Sequence, residues 1–262
     1  MIETAPPPAL LVAFAAALGS VVGSFLNVCI YRLPIKKSIV WPASACTKCG
    51  HELSWYENVP IVSWIALRAR CRSCGAPIAM RYPIIEAITG AMFAAAWWYY
   101  GPGVLFASRI VLGCLLLVLF AIDLEHHLLP NAITLPGIVV GFLFSAVSGD
   151  PGWRDSLIGI AIGGGILFAI AEVYYRVRKE EGLGMGDVKM LAMIGAFVGW
   201  KMTLMTLMMA SFSGTIVGLA LIISRRGTMK YALPFGTFLA LGAAAAATVG
   251  QPLLDWYVAL WQ

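Results

Sequence analysis

Apolar residues run in long blocks rather than alternating with polar ones at the period of a half-buried strand or a surface helix. A helix that is apolar on every side belongs in a membrane or a deep core, and about 20 such residues cross a bilayer. The pattern predicts spans at Ala9–Tyr31, Pro83–Tyr100, Val104–Ile122, Asn131–Ser148, Ser156–Val177, Met202–Ile223 and Tyr231–Gly250. The block Asp187–Gly199 is apolar but short, and crosses only where the bilayer thins or neighbouring helices shelter it. Counting it gives an all-α polytopic membrane protein of about eight transmembrane helices, one of them short. The chain then divides into a first transmembrane helix (9–31), a loop (32–82), a membrane-embedded core (83–250) and a Trp-rich interfacial tail (251–262).

Composition narrows this further. Of the 262 residues, 60% are hydrophobic and 12% charged, against about 25% charged in soluble domains. A soluble enzyme, a disulfide-stapled secreted module and a disordered tail are excluded. Met1–Pro8 holds Glu3 and three prolines but no Lys or Arg, so the first run reads as a retained helix and not a secretory signal. Fifteen of the 18 basic residues lie in three connections, Arg32–Arg81, Arg176–Lys189 and Arg225–Lys230, which share one side if the spans alternate. The positive-inside rule puts those loops in the cytoplasm and the N-terminus outside. The net charge of +5 thus reports topology and calls for no nucleic-acid partner.

The loop carries Cys46-Thr-Lys-Cys49-Gly50 and Cys71-Arg-Ser-Cys74-Gly75, two C-x2-C pairs separated by 21 residues. Zinc takes four thiolates offered as two such knuckles, so the loop reads as a small zinc-ribbon-like domain. So short a segment buries too little apolar surface to fold alone, and metal binding would supply the difference. Disulfides would suit an oxidising compartment, which the topology opposes. His51 could replace one ligand but reads better as a surface residue, and Cys29 and Cys114 read as small apolar groups inside spans.

Acids in or beside spans are functional candidates. Asp123 ends the third span and Asp187 opens the short segment in Gly182-Leu-Gly184-Met-Gly186-Asp187-Val-Lys189. Alternation puts both on the cytoplasmic side, where two carboxyl groups can share a proton and hydrolyse a peptide bond. The dipoles of their own helices suggest Asp187 as ionised base and Asp123 as protonated partner. Singly, each is more readily a helix cap or a solvated boundary residue than a catalytic group. Glu86 and Glu172 are candidate partners of Arg109 or of each other's neighbours, with Glu86 a possible pocket residue, and Glu125, His126 and His127 read as a wet loop.

These residues, taken in order, resemble the type IV prepilin peptidases, bacterial membrane aspartyl proteases with a Gly-x-Gly-Asp motif. Gly23-Ser-Phe-Leu-Asn27 through Arg32-Leu-Pro34 looks like the family's first-helix signature. Arg81-Tyr-Pro83-Ile-Ile-Glu86 with Thr89-Gly90 looks like the start of its second helix. The two cysteine pairs match its zinc loop, and Leu233-Pro-Phe-Gly236 with Phe238-Leu-Ala240 resembles its closing signature. The resemblance puts the catalytic aspartates at Asp123, followed by Leu129-Pro130-Asn131, and at Asp187, with Gly184, Gly186, Lys189 and Glu86 supporting.

The resemblance implies cleavage of the short basic leader from type IV prepilins and type II secretion pseudopilins, at the cytoplasmic face of the inner membrane. It also implies methylation of the new N-terminal amine by S-adenosylmethionine, at residues that no motif here identifies, and structural Zn2+ on Cys46, Cys49, Cys71 and Cys74. The Glu180–Gly186 stretch would close over the substrate. Two alternatives use the same features: an ion-coupled transporter in which the two aspartates carry cations, and a scaffold whose zinc loop recruits a partner.

Overall fold

A computed structural model describes residues 9–180, 182–224 and 233–261. The Met1–Pro8 leader, Glu181, the Arg225–Lys230 connection and the expected helix start at Tyr231 lie outside the described residues. Eight α-helices are described: α1 (Ala9–Arg32), α2 (Val62–Ala66), α3 (Arg81–Tyr100), α4 (Val104–His126), α5 (Asn131–Ser148), α6 (Trp153–Arg178), α7 (Met185–Ile223) and α8 (Phe235–Ala259). Six of them, α1 and α4 to α8, are long and apolar enough to cross a membrane. The chain folds as two compact units, one up to Ile110 and one from Val111.

In the first unit α1 packs along α3. The contact is close because the facing positions are small: a methyl group at Gly19 would meet Phe93 Cβ at 2.7 Å, and one at Gly23 would meet the Glu86 backbone at 2.8 Å. Thr89, fully buried, returns its hydroxyl to Ile85 O at 2.7 Å. Between the two helices the chain forms the cysteine loop, with a 3-10 turn at Trp55–Asn58 and the short α2. Each knuckle is closed by an isolated antiparallel bridge, Ala45 with Glu52 and Arg70 with Pro77.

In the second unit α7 is the central helix, packed by α5, α6 and α8. Its first half is the most deeply buried part of the chain, with Met190, Leu191, Met193, Ile194, Ala196 and Phe197 fully covered. A single break at Gly199, φ 74° and ψ 172°, divides it. Only glycine takes that conformation cheaply, and a side chain there would also press on Pro151 at 2.9 Å. The first half is then roughly 21 Å long at about 1.5 Å per residue, too short for a bilayer core of about 30 Å. A break at membrane depth leaves carbonyls in need of partners, and two hydroxyls converge on that of Ala196, Ser145 Oγ at 2.6 Å and Ser156 Oγ at 2.8 Å.

Two boundaries differ from the sequence expectation. Helix α4 runs one turn past Ile122 to His126, so Glu125 and His126 are helical rather than looped. Nothing stops that helix until His127, left-handed at φ 52°, gives its N–H back to Asp123 O at 2.9 Å ahead of Pro130. The blocks at 187–199 and 202–223 are two helices that meet at the Gly199 kink, as the sequence predicts. Helix α8 continues past Gly250 to Ala259, because Leu253, Leu254, Trp256 and Val258 prolong its apolar side and Gln251 Nε2 reaches Asp255 Oδ1 at 2.9 Å. The tail at 251–262 is therefore mostly the last turns of α8.

Candidate active site and metal centre

Asp123 and Asp187 come together in the second unit. Asp123 projects from the last turn of α4 and is 5% exposed. Asp187 stands in the first turn of α7, after the Gly184 that begins it. The two carboxyl groups lie within electrostatic reach of each other. Leu129, from the connection between α4 and α5, sits against Gly186 and Gly236. A methyl group on Gly186 would meet Leu129 Cβ at 2.8 Å, and one on Gly236 would meet Leu129 Cδ1 at 2.9 Å and Asp123 Oδ2 at 3.0 Å. A methyl group on Gly184 would press on Asp187 Oδ2 at 3.3 Å. The glycines of the Gly-x-Gly-Asp segment, and Gly236, thus keep side chains out of the space beside the carboxyls.

A third element enters at this point. Thr237, in the first turn of α8, donates its N–H to Asp123 Oδ2 at 2.7 Å and its hydroxyl to the same oxygen at 3.1 Å. Asp123 therefore feels two opposed helix ends, the carboxyl end of α4 and the amino end of α8. The expected division of roles, drawn from the dipole of each aspartate's own helix, leaves out α8, and the pair is better treated as one titrating unit. Beyond Leu129, Lys189 Nζ donates to Asn131 Oδ1 at 2.9 Å, which ties the start of α5 to α7.

Glu86 lies in the first unit and is 7% exposed. Its Oε2 accepts the N–H of Ile61 at 2.8 Å, and the Ser24 side chain also hydrogen-bonds to it. That carboxylate holds the loop's Ile61, at φ 62°, to α3. Glu172 is bonded to Arg176 at 2.7 Å, one helical turn on. The neighbouring turn of its own helix supplies the partner for which Arg109 was a candidate.

The four loop cysteines form one cluster, with all four sulfurs within 4.8 Å of one another. Cys46 and Cys74 are 3.9 Å apart and Cys49 and Cys71 4.0 Å. A tetrahedral S4 zinc site with bonds of about 2.3 Å needs sulfurs about 3.8 Å apart, so these residues fit that ion. Backbone N–H groups of Cys49 and Lys48 pull the Cys46 thiol down to about 6, while, against the backbone N–H of His51, Cys74 and burial push that of Cys49 up to about 11, so the crowded sulfurs share their charge unevenly. His51 stays outside the cluster. Its Nε2 lies 3.3 Å from Glu57 Oε2, and that buried oxygen also accepts the N–H of Ser54 at 2.9 Å. From the second knuckle, Arg72 Nη1 donates to the Tyr56 hydroxyl at 2.9 Å. Both knuckles are thereby fastened to the 3-10 turn between them.

Thr237 and the bond between Lys189 and Asn131 went unassigned in the sequence reading. Thr237 follows Pro234 in a helix-opening turn, which is a local signal for a cap, but its bond to a residue 114 positions away has no local signature.

Comparison with known proteins adds the following. Residues 17–100 match the model of the bacterial peptidase A24 N-terminal domain, and residues 110–219 match that of the type IV leader peptidase family. The prepilin leader peptidase/N-methyltransferase of Myxococcus xanthus (strain DK1622) is 43% identical over 82% of this chain, a match that spans 64% of that protein. Those of Burkholderia pseudomallei (strain 1026b) and Pseudomonas putida are 38% and 35% identical, each over 94% of this chain and 88% and 93% of the relative. No solved structure matches the chain.

Proposed function

The chain belongs to the type IV leader peptidase family, and on that premise we propose that it cleaves leaders from prepilins with Asp123 and Asp187 and methylates the amine so exposed. The observation that carries the proteolytic reading is the meeting of the two carboxyls at the ends of α4 and α7, with one oxygen of Asp123 held by Thr237.

Of the pair, one carboxylate takes a proton from water as the oxygen attacks the scissile carbonyl, and the other carboxyl donates its proton to the carbonyl oxygen. Collapse of the tetrahedral intermediate breaks the C–N bond, and the leaving amine takes a proton from the pair. Thr237 orients Asp123, and Gly184, Gly186 and Gly236 let Leu129 and the two carboxyls pack closely around them. Lys189 and Asn131 hold the 127–131 connection against α7. The substrates are type IV prepilins and type II secretion pseudopilins, whose basic leader and apolar helix suit a site at the end of membrane helices.

S-adenosylmethionine, when bound, supplies an electrophilic methyl group to the amine. Cys46, Cys49, Cys71 and Cys74 would hold Zn2+, whose part is to fold the loop. Counting α3 and both halves of α7 gives eight crossings, one of them short. On that count we read the loop and both aspartates as cytoplasmic, at the inner membrane, with the N-terminus outside.

Mass spectrometry of a prepilin coexpressed with the chain tests both activities together. Loss of the leader and gain of one methyl mass are expected. An intact prepilin beside a folded, membrane-inserted chain would contradict the proposal.

A further inference from the structure

Between α1 and the first cysteine knuckle lies a feature used by neither the aspartates nor the metal site. Arg32, the last residue of α1, donates from Nη1 to Ser38 O at 3.0 Å and from Nη2 to Ala43 O at 3.2 Å. One guanidinium thus grips both shoulders of a tip. Within it, the Ser38 hydroxyl accepts the N–H groups of Val40 and Trp41, each at 3.3 Å. Shape and position are therefore set by hydrogen bonds, yet Val40 is 83% exposed and Trp41 76%. Lys36 and Lys37, also exposed, precede them with no ion pair among the described residues.

A membrane-crossing helix ends at the boundary between hydrocarbon and headgroups. The Arg32 grip keeps the tip within one side chain of that end, so Val40 and Trp41 stand at interface depth. Tryptophan prefers that depth, and lysines there attract anionic headgroups. A basic leader peptide would be repelled by the same lysines. We propose that the Lys36–Trp41 tip is an interfacial anchor, in which Val40 and Trp41 enter the headgroup–acyl boundary while Lys36 and Lys37 take anionic phospholipid headgroups. The inference needs α1 to cross the bilayer and is independent of the aspartates.

The test uses the full chain in nanodiscs of equal anionic and zwitterionic phospholipid, with Trp41→benzoylphenylalanine as a photoreactive probe and Glu52→benzoylphenylalanine as a control in the same loop. Irradiation is expected to give phospholipid adducts at position 41 at least fivefold over position 52, with anionic lipid enriched over its share of the bilayer. Lys36→Gln with Lys37→Gln should abolish the enrichment and keep the adducts. Equal adducts at both positions, enrichment that survives the lysine changes, or a protein adduct at position 41 in cells would overturn the proposal. Amide exchange of residues 36–43 in the unsubstituted chain gives a second reading. Exchange is expected to be slower in anionic nanodiscs than in detergent, and equal rates would also overturn it.

Discussion

Asp123 is held more firmly than its place at the end of an apolar run suggests. Its Oδ2 takes both the amide and the hydroxyl of Thr237, and hydrogen bonds to a charged group contribute about 1.5–3 kcal/mol each. Thr237→Val removes only the hydroxyl and is expected to lower kcat for leader cleavage about tenfold with KM unchanged, while Thr237→Ser restores it. A Val variant with parental kcat would sever Thr237 from the chemistry. Gly236→Ala should act more severely, because its methyl group would press on both Leu129 and Asp123. A loss of about a hundredfold in cleavage with an unchanged melting temperature is expected, and single-turnover assays beside thermal denaturation read both. The approach of Asp123 and Asp187 was expected from the sequence, as acids at span ends in a Gly-x-Gly-Asp setting. Thr237 was not, since only the packing of α8 brings it to α4.

Helix positions were legible wherever apolar blocks met prolines or charge. They were misread where a helix could carry polar residues onward, as α4 does with Asp123 through His126 and α8 does past Gly250. The break in α7 was foreseen as a gap between two spans, but not the means of tolerating it. Ser145 and Ser156 read as ordinary polar residues in apolar runs, and their common acceptor on a third helix has no sequence signal. Either Ser→Ala change alone leaves Ala196 O with one hydroxyl and should cost about 1 kcal/mol. Ser145→Ala with Ser156→Ala removes both partners, and the loss should exceed the sum of the singles. Thermal unfolding of the four proteins in one detergent measures this, and strict additivity would deny the two serines a shared role.

At the scale of the whole molecule, the cysteine spacing pointed to the S4 cluster. The ties from His51 to Glu57 and from Arg72 to Tyr56, which set the knuckles around one turn, needed the fold. Removing the metal with a strong chelator is expected to expose residues 46–78 to limited proteolysis while α4 to α8 stay resistant, and re-added Zn2+ should restore protection. Cleavage spread equally over both units would mean that the metal supports the entire chain.

The account as a whole depends on two carboxyls acting as one catalytic group. The most direct measurement is single-turnover cleavage of a purified prepilin by Asp123→Asn, Asp187→Asn and the double variant, each shown to bind the substrate. The expected result is a loss of at least a thousandfold in each single variant, with no further loss in the double. Parental cleavage by either single variant would contradict it.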